Sequence, residues 1–431
     1  MDKQIFAALE VADHEIRLII GEFFNTRFNI IKVEKVPCSI LNYSTLDKEE
    51  IINSIKKAVI NASKSIGADI NKVILAIPSF NFKRIPLKVS VEVGGVVTID
   101  DVKEAVKKAA STKIDSDLAL IQTVCVKYTV NGITSRRIPI NERCNELTVN
   151  IDLLCADRKL AFDLVSCVNK AGLDIMDIYL DTYASAKEAA IFEQTVDQSV
   201  ILLKIEYQYT TLALISQGII RACDKIDIGL SKMIEALVNE CHIPTEAAVD
   251  LIQYNARLDL DVYSKNPIHI WAQDGQTKTM SEQDLCDSIR PEVNKLLDEF
   301  ELMCKPILQA SKTTVIITGE GGEMQGLDHL LALRLDGEVK NYSPETLGGR
   351  RSSLTSCLGL FYAYKDQLNI TGYDVNSVNM EQFSKTVAYK NGFKSDSEES
   401  LTKKLKGMLL EAGSKRGNSN GWIIVQSSSK D

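Results

Sequence analysis

The chain has 431 residues, 45% hydrophobic and 25% charged, which suits two to four domains rather than one core. A net charge of -8 leaves no surplus of Lys and Arg to neutralise phosphates, which excludes general nucleic-acid binding. Ten Cys without any CxxC spacing, and only four His, exclude a zinc site and suit reduced thiols packed as small hydrophobes. Glu10 and Asp13 interrupt the first apolar run, so it does not read as a signal peptide. No run of about 18 apolar residues is present to span a membrane.

Ile5 to Val11, Ile16 to Phe23 and Phe28 to Val36 read as adjacent strands of a meander. Ile51, Ile52, Ile55, Val59 and Ile60 fall at helical spacing within Leu46 to Ile66, with Asp47 at the start and Gly67 at the end. Lys72 to Pro78 is a strand. From Asn81 to Asp163 the pattern changes. Val89, Val91 and Val93 alternate, Gly94-Gly95 supplies a turn, and Ile99-Asp100-Asp101 opens a helix through Ala110. Strands follow at Leu118 to Val130 and Glu146 to Ala156, then a helix from Arg158 to Ala171, ended by Gly172. Ile201 to Leu214 holds a strand, the loop Glu206-Tyr207-Gln208, and Thr210-Thr211. Asp274-Gly275 marks a hairpin turn. A long helix covers Ser281 to Ala310, restarting at Pro291 and kinking at Pro306.

Val315-Ile316-Ile317-Thr318 then runs into Gly319-Glu320-Gly321-Gly322 and a Leu-rich segment from Leu327. This is strand, tight loop, helix. Glycines there let backbone approach a flat or phosphorylated ligand, or serve a plain strand-to-helix turn.

The order of these elements, with Thr318 to Gly322 and the run Cys167 to Ile175, resembles the FtsA family of bacterial cell-division proteins, a branch of the actin-like superfamily. The resemblance covers residues 1–366. It implies an α/β, actin-like two-lobed fold. Lobe one takes 1–80 and 164–195, an inserted α+β subdomain takes 81–163, and lobe two takes 196–366. It also implies ATP with magnesium as ligand, and here the sequence departs from the family. The first phosphate loop, Asp-Ile-Gly-Thr-Ser-Lys in the family, is Glu10-Val11-Ala12-Asp13-His14-Glu15. Its glycine and lysine are gone, and three carboxylates with no Lys or Arg in the loop should repel phosphate. In the second, the metal-organising Asp is Lys204 and the three glycines are Glu206, Tyr207 and Gln208. The ribose contacts fall on Val249 and Ile252. The expectation is a pseudo-ATPase with no catalytic residue and no confident cofactor. Gly319, Glu320, Gly321, Gly322, Thr210 and Thr211 are its residual nucleotide contacts.

Residues 367–396 are polar and read as a linker. Within the tail, 397–431, Leu401, Leu405, Met408 and Leu409 share one helical arc flanked by Lys403 and Lys404, the pattern of an interfacial membrane helix. The resemblance therefore implies an adaptor at the cytoplasmic face of the membrane, at the division site. Its partners would be the C-terminal tail of the tubulin-like protein FtsZ, membrane lipids, other division proteins and further copies of itself in filaments. The family's FtsZ-holding arginine aligns with Glu292, leaving Arg290 and Lys295 to take its place. Alternatives are an assembly module like the pilus protein PilM, which binds a partner peptide, and an active ATPase.

Overall fold

The computed structural model describes residues 3–386, apart from 26, 40–42, 44, 196, 260–261, 274 and 373–374. The tail calls, Leu401, Lys403, Lys404, Leu405, Met408 and Leu409, lie outside the described residues.

The chain opens with β1 (Gln4–Val11), β2 (Glu15–Phe24) and β3 (Arg27–Pro37), an antiparallel meander. Helix α1 (Lys48–Ile66) follows. Its N-terminus is capped by the Asp47 carboxylate, which accepts from the Glu50 amide, and Gly67 ends it at φ 72°. Strand β4 (Lys72–Ile77) then lies parallel to β1.

An inserted unit comes next: β5 (Lys83–Val96), α2 (Ile99–Ala110), β6 (Leu118–Val130), β7 (Ile133–Ser135) and β8 (Arg143–Asp157), with sheet order β5-β8-β6-β7. Gly94-Gly95 does not turn the chain. The strand continues to Val96, and the register shift between Glu92 and Gly95 puts a bulge at Val93-Gly94. The alternating valines Val91 and Val93 pack with Val102 and Ala105 of α2 in a core of their own.

Helix α3 (Arg158–Lys170) leads to β9 (Asp174–Leu180), which completes the first sheet in the order β3-β2-β1-β4-β9. Helices α4 (Asp181–Glu188) and α5 (Ile191–Gln194) follow. The same plan then repeats with β10 (Ser199–Ile205), β11 (Thr210–Ser216) and β12 (Ile219–Ile226). Helices α6 (Leu230–Cys241) and α7 (Thr245–Asn255), the hairpin β13 (Pro267–Gln273) and β14 (Gln276–Ser281), and α8 (Glu282–Ala310) intervene. Strand β15 (Thr313–Gly319), α9 (Leu327–Leu335) and β16 (Val339–Asn341) close a second sheet ordered β12-β11-β10-β15-β16. Each sheet thus has three antiparallel strands and two parallel additions, and β1 and β10 occupy equivalent central places.

Helix α8 is continuous through Pro291 and Pro306, contrary to the expected restart. An unbroken buried stripe from Leu285 through Ile289, Val293, Leu297 and Phe300 to Cys304 outweighs the missing hydrogen bonds. Helix α10 (Thr355–Thr371) crosses α4 so closely that a Cβ on Gly359 would lie 1.8 Å from the Ala184 carbonyl oxygen.

The polar stretch expected to be a linker from 367 is helical to Thr371, and 375–379 bind the first sheet. Strand β4 pairs β1 only at Ala8 to Glu10. The Ile5 and Ala7 amides therefore need other partners. They donate to Asn376 Oδ1 (2.6 Å) and Ser377 Oγ (2.9 Å). A second compact unit begins at Met380, and its described residues, 380–386, are helical.

Candidate functional site

The repeated sheet plan gives two equivalent turns, one between β1 and β2 and one between β10 and β11. These are the turns that resemble phosphate loops. Strand alternation places Glu15 and Arg17 on one face of β2, and the antiparallel register sets Glu10 opposite Arg17. Lys204, near the end of β10, and Glu206, one residue beyond it, are two residues apart in the same way. These side chains meet between the sheets.

Arg17 is completely buried and engages four carboxylates. Its Nε donates to Glu15 Oε1 (2.6 Å), Nη1 to Glu10 Oε2 (3.3 Å), and Nη2 to Glu206 Oε2 (2.9 Å) and to Glu320. Nη1 also donates to the Ser353 carbonyl at 2.9 Å. Lys204 Nζ lies 2.9 Å from Glu10 Oε1, 2.9 Å from Asp181 Oδ2 and 3.2 Å from Glu206 Oε1. Asp181 is held in turn by the Ser79 amide (3.0 Å) and hydroxyl (2.6 Å). On the other flank, Asp13 accepts from the Gln208 amide at 2.6 Å and pairs with His14. The His14 ring stacks on Tyr207 with centroids 4.6 Å apart.

Burial alone would lower the Arg17 and Lys204 affinities for protons, but the surrounding carboxylates more than reverse it and hold both charged. Burial would raise Glu206, and Arg17 with Lys204 pull it down to about 2. At the edge of the network burial wins: Glu320 is pushed up to about 7 despite Arg17 and His14. Burial lowers His14 as well, but Asp13 and Glu320 raise it overall.

This corrects the reading of the first loop as bare, phosphate-repelling carboxylates. Glu10 and Glu15 are countered from within the protein, by Arg17 two residues beyond the loop and, for Glu10, by Lys204 at the second turn, while Asp13 pairs with His14. The residues present do not fit magnesium with ATP, because Lys204 and Arg17 already stand among the acids that would hold a metal. His14, Glu15 and Glu320 each bring a ligand atom within 4.8 Å of the others, but Arg17 contacts both acids and Lys35 pairs with Glu15 at 2.9 Å. A further cation gains little there.

The glycines have an intramolecular role. A Cβ on Gly319, at φ 80°, would sit 2.4 Å from the Ile205 carbonyl oxygen. One on Gly321 would meet Ile205 Cβ at 2.5 Å, and one on Gly322 would meet Ser352 Oγ at 2.4 Å. Thr210 and Thr211 are buried. Thr210 Oγ1 donates to the Ile228 carbonyl (2.8 Å), and the Thr211 hydroxyl has no partner among the described residues.

A cavity of about 290 Å³ remains beside the network, lined by His14, Tyr207, Glu320 and the α6 and α7 side chains Leu230, Ile234, Val249 and Ile252. Of the partner candidates on α8, Arg290 donates to Tyr263 Oη at 2.8 Å and lies over its ring. Exposed Lys295 pairs with Glu292 at 2.6 Å.

Sequence reading did not single out Arg17 or Asp181. The available signal was a charge inside an apolar strand, Ile16-Arg17-Leu18-Ile19-Ile20, and an acid directly after buried Tyr179-Leu180.

No family model matches the chain. It is similar to the cell division protein FtsA of Bacillus subtilis, 23% identical over 375 residues and 83% of each chain. FtsA of Staphylococcus epidermidis is 20% identical over 83% of this chain and 78% of its own length. FtsA of Pseudomonas aeruginosa is 20% identical over 75% and 79%. Among solved structures, the PilM-PilN type IV pilus biogenesis complex superposes with a TM-score of 0.56 at 14% identity, covering 83% of this chain and 98% of that one. The architecture is the two-lobed α/β fold of actin-like ATPases.

Proposed function

We propose that this chain, a divergent relative of the bacterial cell-division protein FtsA, is a cell-division adaptor that works without hydrolysing ATP. It binds the FtsZ C-terminal tail, attaches to the cytoplasmic face of the membrane at the septum as a peripheral protein, and assembles with other copies of itself and other division proteins. The sequence relation to FtsA in several bacteria supports the cell-division role. The single observation that carries the non-hydrolysing reading is the buried network of Arg17 and Lys204, which fills the space between the two phosphate-type turns with the chain's own charges. Among the described residues no helix is long and apolar enough to cross a membrane. Attachment is assigned to the amphipathic arc of Leu401, Leu405, Met408 and Leu409, assisted by Lys403 and Lys404.

A second reading, an assembly module that binds a partner's peptide, is favoured by the superposition on the PilM-PilN complex. Sedimentation with anionic vesicles, with and without FtsZ and ATP, separates the two. The adaptor pellets with vesicles, brings FtsZ down with it, and releases phosphate no faster than buffer. Deletion of 397–431 returns it to the supernatant. Turnover above buffer that Glu10→Ala abolishes would refute the non-hydrolysing reading, and undiminished pelleting of the truncated chain would refute the tail anchor.

A further inference from the structure

The two sheets exchange charges across the space between them. Arg17, from β2 of the first sheet, reaches Glu206 (2.9 Å) and Glu320, which follow β10 and β15 of the second. Lys204, from β10 of the second sheet, reaches back to Glu10 (2.9 Å) at the end of β1 and to Asp181 (2.9 Å) after β9. Arg17, Lys204, Glu10, Glu206 and Asp181 are each at most 5% exposed. Their other hydrogen-bonding positions are used as well. Ser356 donates to Glu10 (2.5 Å), the Ser79 and Thr182 amides donate to Asp181 (3.0 and 2.8 Å), and Arg17 donates to the Ser353 carbonyl (2.9 Å). Buried ion pairs favour a closed state only when such bonds complete them. Both flanks are bridged too. On one, the Gln208 amide donates to Asp13 at 2.6 Å and the His14 ring lies on Tyr207. On the other, Tyr209 packs edge-on against Phe80 and Tyr43, with centroids 4.9 and 5.6 Å away.

We propose that these two turns form a latch that holds the lobes in one closed arrangement without any ligand, so that closure is a standing property of the chain and not a response to nucleotide. The pairing explains why the latch has no stable half-open position. Separation would leave Arg17 with Glu10 and Glu15, and Lys204 with Glu206 alone. Asp181 would keep its Ser79 and Thr182 amides but no cation, and Glu320 would lose Arg17 and His14 together. A small opening breaks these pairs before water can enter, and a stranded buried charge is strongly unfavourable. Added salt reaches such buried pairs poorly, so ionic strength does not release them. The latch uses the same network as the non-hydrolysing reading, yet the two fail separately: phosphate release reads hydrolysis, and amide exchange reads closure.

Hydrogen–deuterium exchange of the full chain, read by mass spectrometry, tests it at the Gln208 amide, whose partner Asp13 lies across the cleft. Without nucleotide that amide is expected to exchange at least about a hundredfold more slowly than in an unstructured peptide, and magnesium-ATP at about 1 mM should leave the rate unchanged. Lys204→Met is expected to speed it at least about tenfold more than it speeds the amides of β8 in the inserted unit, because the loss is local to the latch and not global. The proposal is overturned if Gln208 exchanges freely in the unmodified chain, if magnesium-ATP slows it about tenfold or more, or if folded Lys204→Met leaves it no faster relative to β8. The first two comparisons use the unmodified chain and stand even if the variant does not fold.

Discussion

Lys204→Met keeps most of the side-chain volume and deletes the charge. The ammonium is 2% exposed and is shared by Glu10, Asp181 and Glu206 at 2.9, 2.9 and 3.2 Å. After substitution those three buried carboxylates face one another with Arg17 as the nearest cation, and Arg17 contacts Glu10 and Glu206 but not Asp181. Removing one partner of a buried ion pair costs about 3–5 kcal/mol, because the stranded charge is no longer compensated. At roughly 2 °C per kcal/mol for a large domain, the thermal midpoint should fall by about 6–10 °C. Differential scanning fluorimetry at pH 7 without nucleotide reads this directly. Adding Glu10→Gln removes one stranded charge, so the double variant should recover part of the loss, with a coupling of at least about 1 kcal/mol. A fall below about 2 °C, or simple additivity of the two substitutions, would refute the view that this network holds the two sheets together.

Glu188 is a buried carboxyl whose Oε2 has no partner among the described residues, and burial pushes it up to about 7. Its folded affinity for protons exceeds its unfolded one, so its contribution is present below about pH 4.5 and lost as pH rises to about 7. Glu188→Gln should therefore stabilise the protein at pH 8 by about 1–3 kcal/mol and change little at pH 4, as urea titrations at the two pH values would reveal. The opposite sign is expected of Glu206, held at about 2: the stability it supplies is full above about pH 4.5 and lost as pH falls toward 2. Gly319→Ala should destabilise by about 2 kcal/mol or more with no ligand present, since its Cβ meets the Ile205 carbonyl and its φ is positive; an unchanged midpoint would return the glycine to a ligand role. Arg290→Glu with Lys295→Glu should weaken binding of an FtsZ tail peptide, and the loss should shrink at high salt; equal affinity at low salt with the fold intact rejects that surface.

What the sequence determined by itself was local. The strand Leu118–Val130 and the helix capped by Asp47 and Gly67 lie where their patterns place them, because alternation and capping act within a few residues. The loss of glycine from both phosphate-type turns, and of lysine from the first, was equally plain. What those replacements do was decided only by the tertiary structure. Arg17 and Glu206 are 189 residues apart, and nothing near either one names its partner. Strand register and the meeting of two sheets set buried cations against the acids of the first loop. The glycines at 319, 321 and 322 read as room for a ligand, yet Ile205 and Ser352 fill that room. The polar segment at 375–379 read as linker for the same reason: its purpose is to satisfy amides of β1 that β4 leaves open, about 370 residues earlier in the chain. Pattern and propensity are properties of neighbours in sequence, whereas charge pairing, close backbone contact and hydrogen-bond satisfaction depend on which distant segments the fold brings together.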